Sequence, residues 1–325
     1  MIVGVLVYAW LGDDTKRWLG MEQGFRVPPK QSRLRIATWN MRNFPDAEQD
    51  RDRLSRTLRE LEADVLAFQE IRDAHALSEL VPELTVHVSH HGGRGGQAVA
   101  LAYDAHIVTL IDGPHEDEHL TLGGRVRPAL HAYLRVGKDG PDFHVVVVHL
   151  KAKPEGLDDR RRQWSALALL VQRLSATDED VLVLGDFNVT GGADRNAERE
   201  LVEAEQVLGA TGLARIPTHG GCSAYWDGTR RDRWQEPSLL DLMWTRALAE
   251  ALHSGSVTTP ASHCARHGCQ PFGSTDTYPE LDFVRGSDHC PVVLDLLHGT
   301  DDDTQSLRST PRDHDGPEQG RIDIR

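Results

Sequence analysis

The stretch Val181-Leu182-Val183-Leu184-Gly185-Asp186-Phe187-Asn188 constrains this chain more than any other. Four consecutive branched aliphatic residues read as a strand buried on both faces, and Gly185 is expected to end it. Asp186 and Asn188 are two apart and so project from the same side, at the exit of a rigid element that can hold a catalytic pair in place. Taken alone, an Asp-containing turn after a core strand explains the stretch equally well. The same design recurs along the chain, and this is what shifts the balance.

Leu34 to Met41 alternates as a strand and reaches Asn40. Asp46-Ala47-Glu48-Gln49 has the form of a helix start, and Leu54, Leu58 and Leu61 give the helix that follows one apolar stripe. Asp64 to Glu70 is apolar until its end. A carboxylate such as Glu70 at the mouth of a buried strand is either a surface cap or a ligand for a hard cation. Gln97 to Tyr103 and Ile107 to Ile111 look like an antiparallel pair turned by Asp104-Ala105-His106. The glycine-rich His90 to Gly96 between strands reads as a loop. Ala129 to Val136 is a strand preceded by Arg125 and Arg127, of which Arg127 is the better candidate for phosphate. Phe143 to Leu150 is a buried strand containing His149. Leu157 to Leu174 is helical, with Trp164, Leu167, Val171 and Leu174 on one face and Arg160-Arg161-Arg162 near its start. Those arginines, beside Lys151 and Lys153, form the one notable basic patch, either a solvated face or a phosphate-facing one. A helix is expected over Ala193 to Leu208. Leu239 to Trp244 is a strand with Asp241 inside it, where a carboxylate is costly unless paired. The segment from Ser254 to Arg285, rich in Gly, Pro, His and Ser, is expected to be an irregular surface loop. Gly286-Ser287-Asp288-His289-Cys290-Pro291 leads into a last strand, Val292 to Leu296.

The 325 residues carry a formal net charge of -14. This argues against affinity for nucleic acid based on bulk electrostatics, but leaves room for a phosphate substrate where a cation reverses the local field. The four cysteines are too few to build the fold. A zinc clip at His263, Cys264, His267 and Cys269 matches no standard spacing and ranks below a local Cys264 to Cys269 disulfide or free thiols. Met1 to Leu11 is apolar but about half the ~20 residues of a membrane span. It is either the remnant of a truncated export signal, which would point to secretion or the cell envelope, or a stray apolar tag. Residues 1–33 thus read as apolar segment and linker, 34–298 as the folded domain, and 299–325 as a disordered tail.

Trp39-Asn40, Gln69-Glu70, His149-Leu150, Gly185-Asp186-Phe187-Asn188, Asp241 and Ser287-Asp288-His289 occur in the order and rough spacing of the endonuclease/exonuclease/phosphatase superfamily, and the chain resembles its deoxyribonuclease I-like members from about Leu34 to Leu296. His149-Leu150-Lys151-Ala152-Lys153 is most similar to the version found in secreted bacterial nucleases of that superfamily. The resemblance implies an α/β four-layer sandwich, two mostly antiparallel β-sheets face to face with helices outside. It also implies an active site where strand ends meet.

By resemblance, Glu70 is the main Mg²⁺ ligand (Mn²⁺ can substitute), with Asn40 and Asp288 completing or orienting the shell. His289 pairs with Asp241, and His149 sits opposite. Asp186 orients or deprotonates the attacking water, Asn188 donates to a phosphate oxygen, and Arg127 contacts phosphate. Tyr103 falls near a phosphate-contacting tyrosine of some members. The implied activity is metal-assisted hydrolysis of DNA or RNA by an endonuclease. Alternatives are a sphingomyelinase-like phospholipid phosphodiesterase, a phosphomonoesterase, or a catalytically silent binding module. No stable protein partner is implied, and a monomer is expected.

Overall fold

The computed structural model describes residues 30, 34–138, 140–226, 234–248 and 256–296. The amino-terminal segment, most of its linker and the carboxy-terminal tail lie outside the described residues.

The strands are β1 (Leu34–Phe44), β2 (Val65–Ile71), β3 (Thr85–Val88), β4 (Ala98–Tyr103), β5 (Val108–Asp117), β6 (Ala129–Val136) and β7 (Asp142–His149). They continue as β8 (Val181–Asp186), β9 (Ala214–Arg215), β10 (Trp234–Gln235), β11 (Asp241–Arg246), β12 (Thr259–Pro260), β13 (Phe272–Gly273) and β14 (Val292–Leu296). The helices are α1 (Arg51–Leu61), α2 (Ala74–Leu80), α3 (Leu157–Leu174), α4 (Ala197–Gly209), α5 (Ser262–His267) and α6 (Leu281–Arg285). One sheet runs β12-β14-β1-β2-β4-β3, the other β5-β6-β7-β8-β11-β9, and β10 with β13 makes a small ribbon. Each large sheet contains one parallel pair, β1 with β2 and β7 with β8, joined by a crossover helix, and is otherwise antiparallel.

Alternation along the strands explains the four layers. Ile36, Val65, Val145, Val147, Leu182 and Leu184 face the space between the sheets. Ala37, Trp39, Leu66 and Phe68 face α1 and α2 on one outer side, while Val146, Val148 and Val183 face α3 and α4 on the other. Leu54, Leu58 and Leu61 of α1 are all buried, each contributing about 2 kcal/mol by removing apolar surface from water. The cap of α1 is Asp50, whose carboxylate accepts from Arg53 N at 3.1 Å. The expected start at Asp46 is a turn upstream of it, because the Gln49 amide is drawn to the carbonyls of Met41 and Gly286.

Three expectations fail for tertiary reasons. Residues 98–103 and 108–111 do not pair with each other: β4 hydrogen-bonds with β2 and β3, whereas β5 pairs with β6 in the opposite sheet. The Asp104 to His106 turn therefore crosses the edge of the sandwich. Tyr103 lies at the end of β4 opposite Val65, far along the strand from the Ile71↔Ala98 end, and packs in the central core. The part of the 254–285 insertion that is described holds α5, α6, β12 and β13 around a buried cluster of Cys222, Tyr225, Cys264, Cys269, Phe272 and Cys290.

The cysteines are neither free nor paired locally. Cys222 bonds to Cys269 and Cys264 to Cys290, across 47 and 26 residues. The Cys264 to Cys269 link is not made because α5 turns Cys264 toward the segment before β14, and Cys269 lies past its Gly268 cap facing Cys222. Both thiols of the sequence's metal-like cluster are consumed in this way. Removing such a cross-link releases denatured-state entropy worth about 2–4 kcal/mol. Reduction with dithiothreitol is therefore expected to lower the melting temperature by roughly 10 °C while four thiols become titratable. Release of the thiols with no change in the melting curve would contradict a structural role.

Candidate active site

The parallel pairs and their antiparallel neighbours bring four strand exits and two strand entrances to one edge. Asn40 lies in β1 where its pairing with β2 turns irregular, Glu70 is the last residue but one of β2, His149 and Asp186 end β7 and β8, Asp241 opens β11, and Asp288-His289 precede β14. Asp186 is register partner to both His149 and Asp241, so the three stand in one row across adjacent strands.

Gly185 does not end its strand; β8 continues through Asp186. Its φ of +139° and the 2.0 Å that would separate an added Cβ from the Val148 carbonyl oxygen exclude any side chain there. Asn188 joins Asp186 through a turn and not through strand alternation. It has φ +52°, and its N–H donates to Asp186 Oδ1 at 2.8 Å.

The contacts are dense. Asn40 Nδ2 donates to Asp186 Oδ2 at 2.9 Å, and Asn40 Oδ1 accepts from Arg42 N at 3.0 Å. His149 Nε2 lies 3.4 Å from Asp186 Oδ2 and 3.9 Å from Glu70 Oε1. His289 Nδ1 is 2.8 Å from Asp241 Oδ2, and its Nε2 is 4.0 Å from Asp186 Oδ2. The carbonyl of Leu150 accepts from both Arg127 Nη2 (3.1 Å) and Asn188 Nδ2 (3.2 Å). Asp288 is half-buried, its carboxylate 3.4 Å from Ser287 Oγ. Asn40, Glu70, Arg127, His149, Asp186, Asn188, Asp241, Asp288 and His289 lie along this edge, and Tyr103 does not.

Burial sets the electrostatics. It lowers the His149 imidazole well below its ordinary range, reinforced by Arg127, His289 and Lys151, so this ring is neutral. His289 is just as buried, but the charges of Asp241, Asp186 and Asp288 outweigh burial and hold it well above the ordinary value, cationic at neutral pH. The Asp186 carboxyl is raised, chiefly by burial and then by Asp241, against the opposing pull of His289. Burial also pushes the Arg127 guanidinium down to about 10, opposed by Asp186 and Glu70. Two imidazoles with opposite charge states beside a carboxyl raised from its usual range are a set suited to moving protons.

Several supporting groups escaped the sequence. Ser287 Oγ donates to the Asn40 carbonyl (2.7 Å) and accepts from His289 N (3.1 Å). Ser223 Oγ accepts from Asp241 N (2.8 Å), and Trp39 Nε1 donates to the His289 carbonyl (3.0 Å). Gln97 Nε2 bonds Asn43 Oδ1 (2.8 Å), whose N–H donates to Glu70 Oε2 (3.0 Å). Trp39 and Ser287 stand in the motifs that carry the resemblance, whereas no sequence signal marks Ser223, Gln97 or Asn43. The expected basic patch is mostly neutralised: Arg160 is buried against Glu200, Arg161 binds Asp158 and Glu203, and Arg162 binds Asp159. Arg125 is paired with Asp159 as well.

Glu70 keeps Oε1 without a hydrogen bond, and among the described residues Asp186, Asp241 and His289 offer ligand atoms within 4.8 Å of one another. Among the described residues, Asp241 Oδ1, His149 Nδ1 and Arg127 Nε are buried without a hydrogen-bond partner. The donors are mainly oxygens from separate strands, which fits a hard divalent cation better than a soft one.

A four-layer sandwich with carboxylates, amides and imidazoles gathered at one edge defines a class of proteins equipped for acid-base chemistry. The chain belongs to the endonuclease/exonuclease/phosphatase family, whose model matches residues 37–289. Solved structures share the fold. TDP2 from D. rerio, solved with a single-strand DNA product, is 17% identical over 80% of this chain and 97% of its own, with a TM-score of 0.58. The human Nocturnin catalytic domain with bound sulfate is 15% identical over 85% and 97%, at 0.55. A mannosyl-6-phosphatase from Bacteroides thetaiotaomicron is 15% identical over 81% and 99%, at 0.54. A comparison with curated proteins gives no match.

Proposed function

We propose that the chain is a divalent-metal-dependent phosphodiesterase that cleaves nucleic acid by in-line attack of water on phosphorus. The observation that carries this reading is the row His149-Asp186-Asp241 with His289 closing on it, two imidazoles driven to opposite charge states around a carboxyl raised from its usual range. Asp186 orients the water and takes its proton. Cationic His289, fixed by Asp241, and the Asn188 amide meet the charge that builds on the phosphoryl oxygens, while Arg127 holds phosphate from the side of Leu150. Neutral His149 stands opposite. Glu70, with Asn40 and Asp288, would hold the cation, which polarises the P–O bond when bound.

Nucleic acid is favoured because the D. rerio relative in fold was solved with a DNA strand, and because Lys151 and Lys153 follow His149 within four residues. A phosphomonoesterase is the second reading, supported by the neutralisation of Arg160 to Arg162. Two buried disulfides suit an oxidising compartment, in line with secretion or the cell envelope. In the deciding experiment, plasmid and single-stranded DNA are incubated with the protein in Mg²⁺, in Mn²⁺ and in excess chelator. Cleavage that chelator abolishes is expected. Release of phosphate from a sugar phosphate with DNA left intact would replace this reading by the second.

A further inference from the structure

We propose that Lys151 and Lys153 form a second phosphate subsite beside the reacting centre, so that the chain takes a phosphodiester strand carrying at least two phosphates. The proposal rests on the hydrolase reading above and names the substrate geometry of that same site.

The loop that carries the lysines is fixed to the site at its root and along its length. The Leu150 carbonyl accepts from Arg127 and Asn188, and Lys151 N donates to Gln163 Oε1 at 2.8 Å. Arg160 Nη1 donates to the carbonyls of Lys151 (2.9 Å) and Lys153 (2.7 Å). That grip holds Lys153 at φ +73°, a conformation a lysine rarely adopts. Gly156 makes room for the arm, since a Cβ there would stand 2.7 Å from Lys151 Cγ.

The ammonium groups at the end of this arm are the unusual feature. Arg125, Arg161 and Arg162 nearby are each tied to a carboxylate. By contrast, Lys151 Nζ reaches only the Ala152 carbonyl at 3.1 Å, and the exposed Lys153 makes no side-chain hydrogen bond or ion pair among the described residues. Arg127 lies next to them, buried, with Nε unpartnered. The Lys151 ammonium is lowered by burial and then by the charges of Arg127, Lys153 and Arg160, with Asp159 opposing. Cations gathered in this way without a full set of anions are arranged to receive one. In this arrangement the scissile phosphate lies at Arg127, whose charge acts on Lys151, while a neighbouring phosphate of the strand lies over the lysines.

The test measures equilibrium binding of a fluorescent ten-nucleotide single-stranded DNA in excess chelator, so that cleavage plays no part. For Lys151→Ala/Lys153→Ala the Kd is expected to rise about tenfold, and the slope of log Kd against log salt to fall by roughly 0.7, for the one phosphate no longer neutralised. Arg161→Ala, which removes an already paired cation, is expected to change neither. An unchanged Kd and slope in the double lysine variant, or no binding by the unsubstituted protein, would overturn the subsite. Hydrolysis of bis(4-nitrophenyl) phosphate, which carries one phosphate, is measured in parallel with Mg²⁺. If that reaction proceeds without lysine-dependent binding, the subsite falls and the hydrolase reading stands. Lysine-dependent binding without any hydrolysis gives the reverse.

Discussion

Asp186→Asn and Asp241→Asn are each expected to lower phosphodiester hydrolysis about a thousandfold, equivalent to ~4 kcal/mol of transition-state stabilisation, with little change in fold. Asp186 gathers three of the site's short contacts: Asn40, Asn188 and His149 all lie within 3.4 Å of its carboxylate oxygens. An asparagine fills the same space but cannot take a proton from water. Asp241 acts through His289, whose Nδ1 is 2.8 Å from its Oδ2. Replacing it removes the charge that keeps the imidazole cationic against burial. The check is steady-state kinetics on both variants beside melting curves and circular dichroism. More than a tenth of the original rate in either well-folded variant would sink the role given to that residue.

Arg160→Ala is expected to cost about 3–5 kcal/mol of stability and to lower the melting temperature by roughly 10 °C. Arg160 is fully buried, paired with both oxygens of Glu200, and donates to Thr190 Oγ1 (3.2 Å) and to the Gly191 carbonyl (3.1 Å) in addition to its bonds to the lysine loop. Removing the guanidinium alone leaves the Glu200 carboxylate buried without its partner. The double variant Arg160→Met/Glu200→Leu removes both charges and is expected to recover at least half of that stability. Chemical denaturation of the three proteins decides the matter. If the double variant is as unstable as the single one, carbonyl satisfaction and not the stranded charge accounts for the cost.

Arg160 and Glu200 also mark a place where local pattern misleads. Three successive arginines look like a surface patch, and only α4 packing on α3 reveals that the first of them points inward. Glu200 lies on the buried face of α4 with Ala204 and Leu208, and a carboxylate in that apolar register is the one local signal of the pairing. Asp241 is legible by the same logic, since a charge inside an apolar strand demands a partner. That partner is His289, 48 residues away.

Local pattern by itself determined the long elements. Leu157–Leu174, Ala129–Val136 and Val292–Leu296 match their expected bounds because apolar periodicity and burial coincide there. It also determined which strand ends carry polar groups, because a carboxylate or imidazole at the end of an apolar run stands out against its neighbours. Tertiary structure alone decided which strands pair, which cysteines join, which arginines are neutralised and how Asn188 turns back onto Asp186. Each of these depends on hydrogen bonds, ion pairs or covalent bonds that the folded chain brings together, and the energy of such an interaction is not written in the local sequence of either partner.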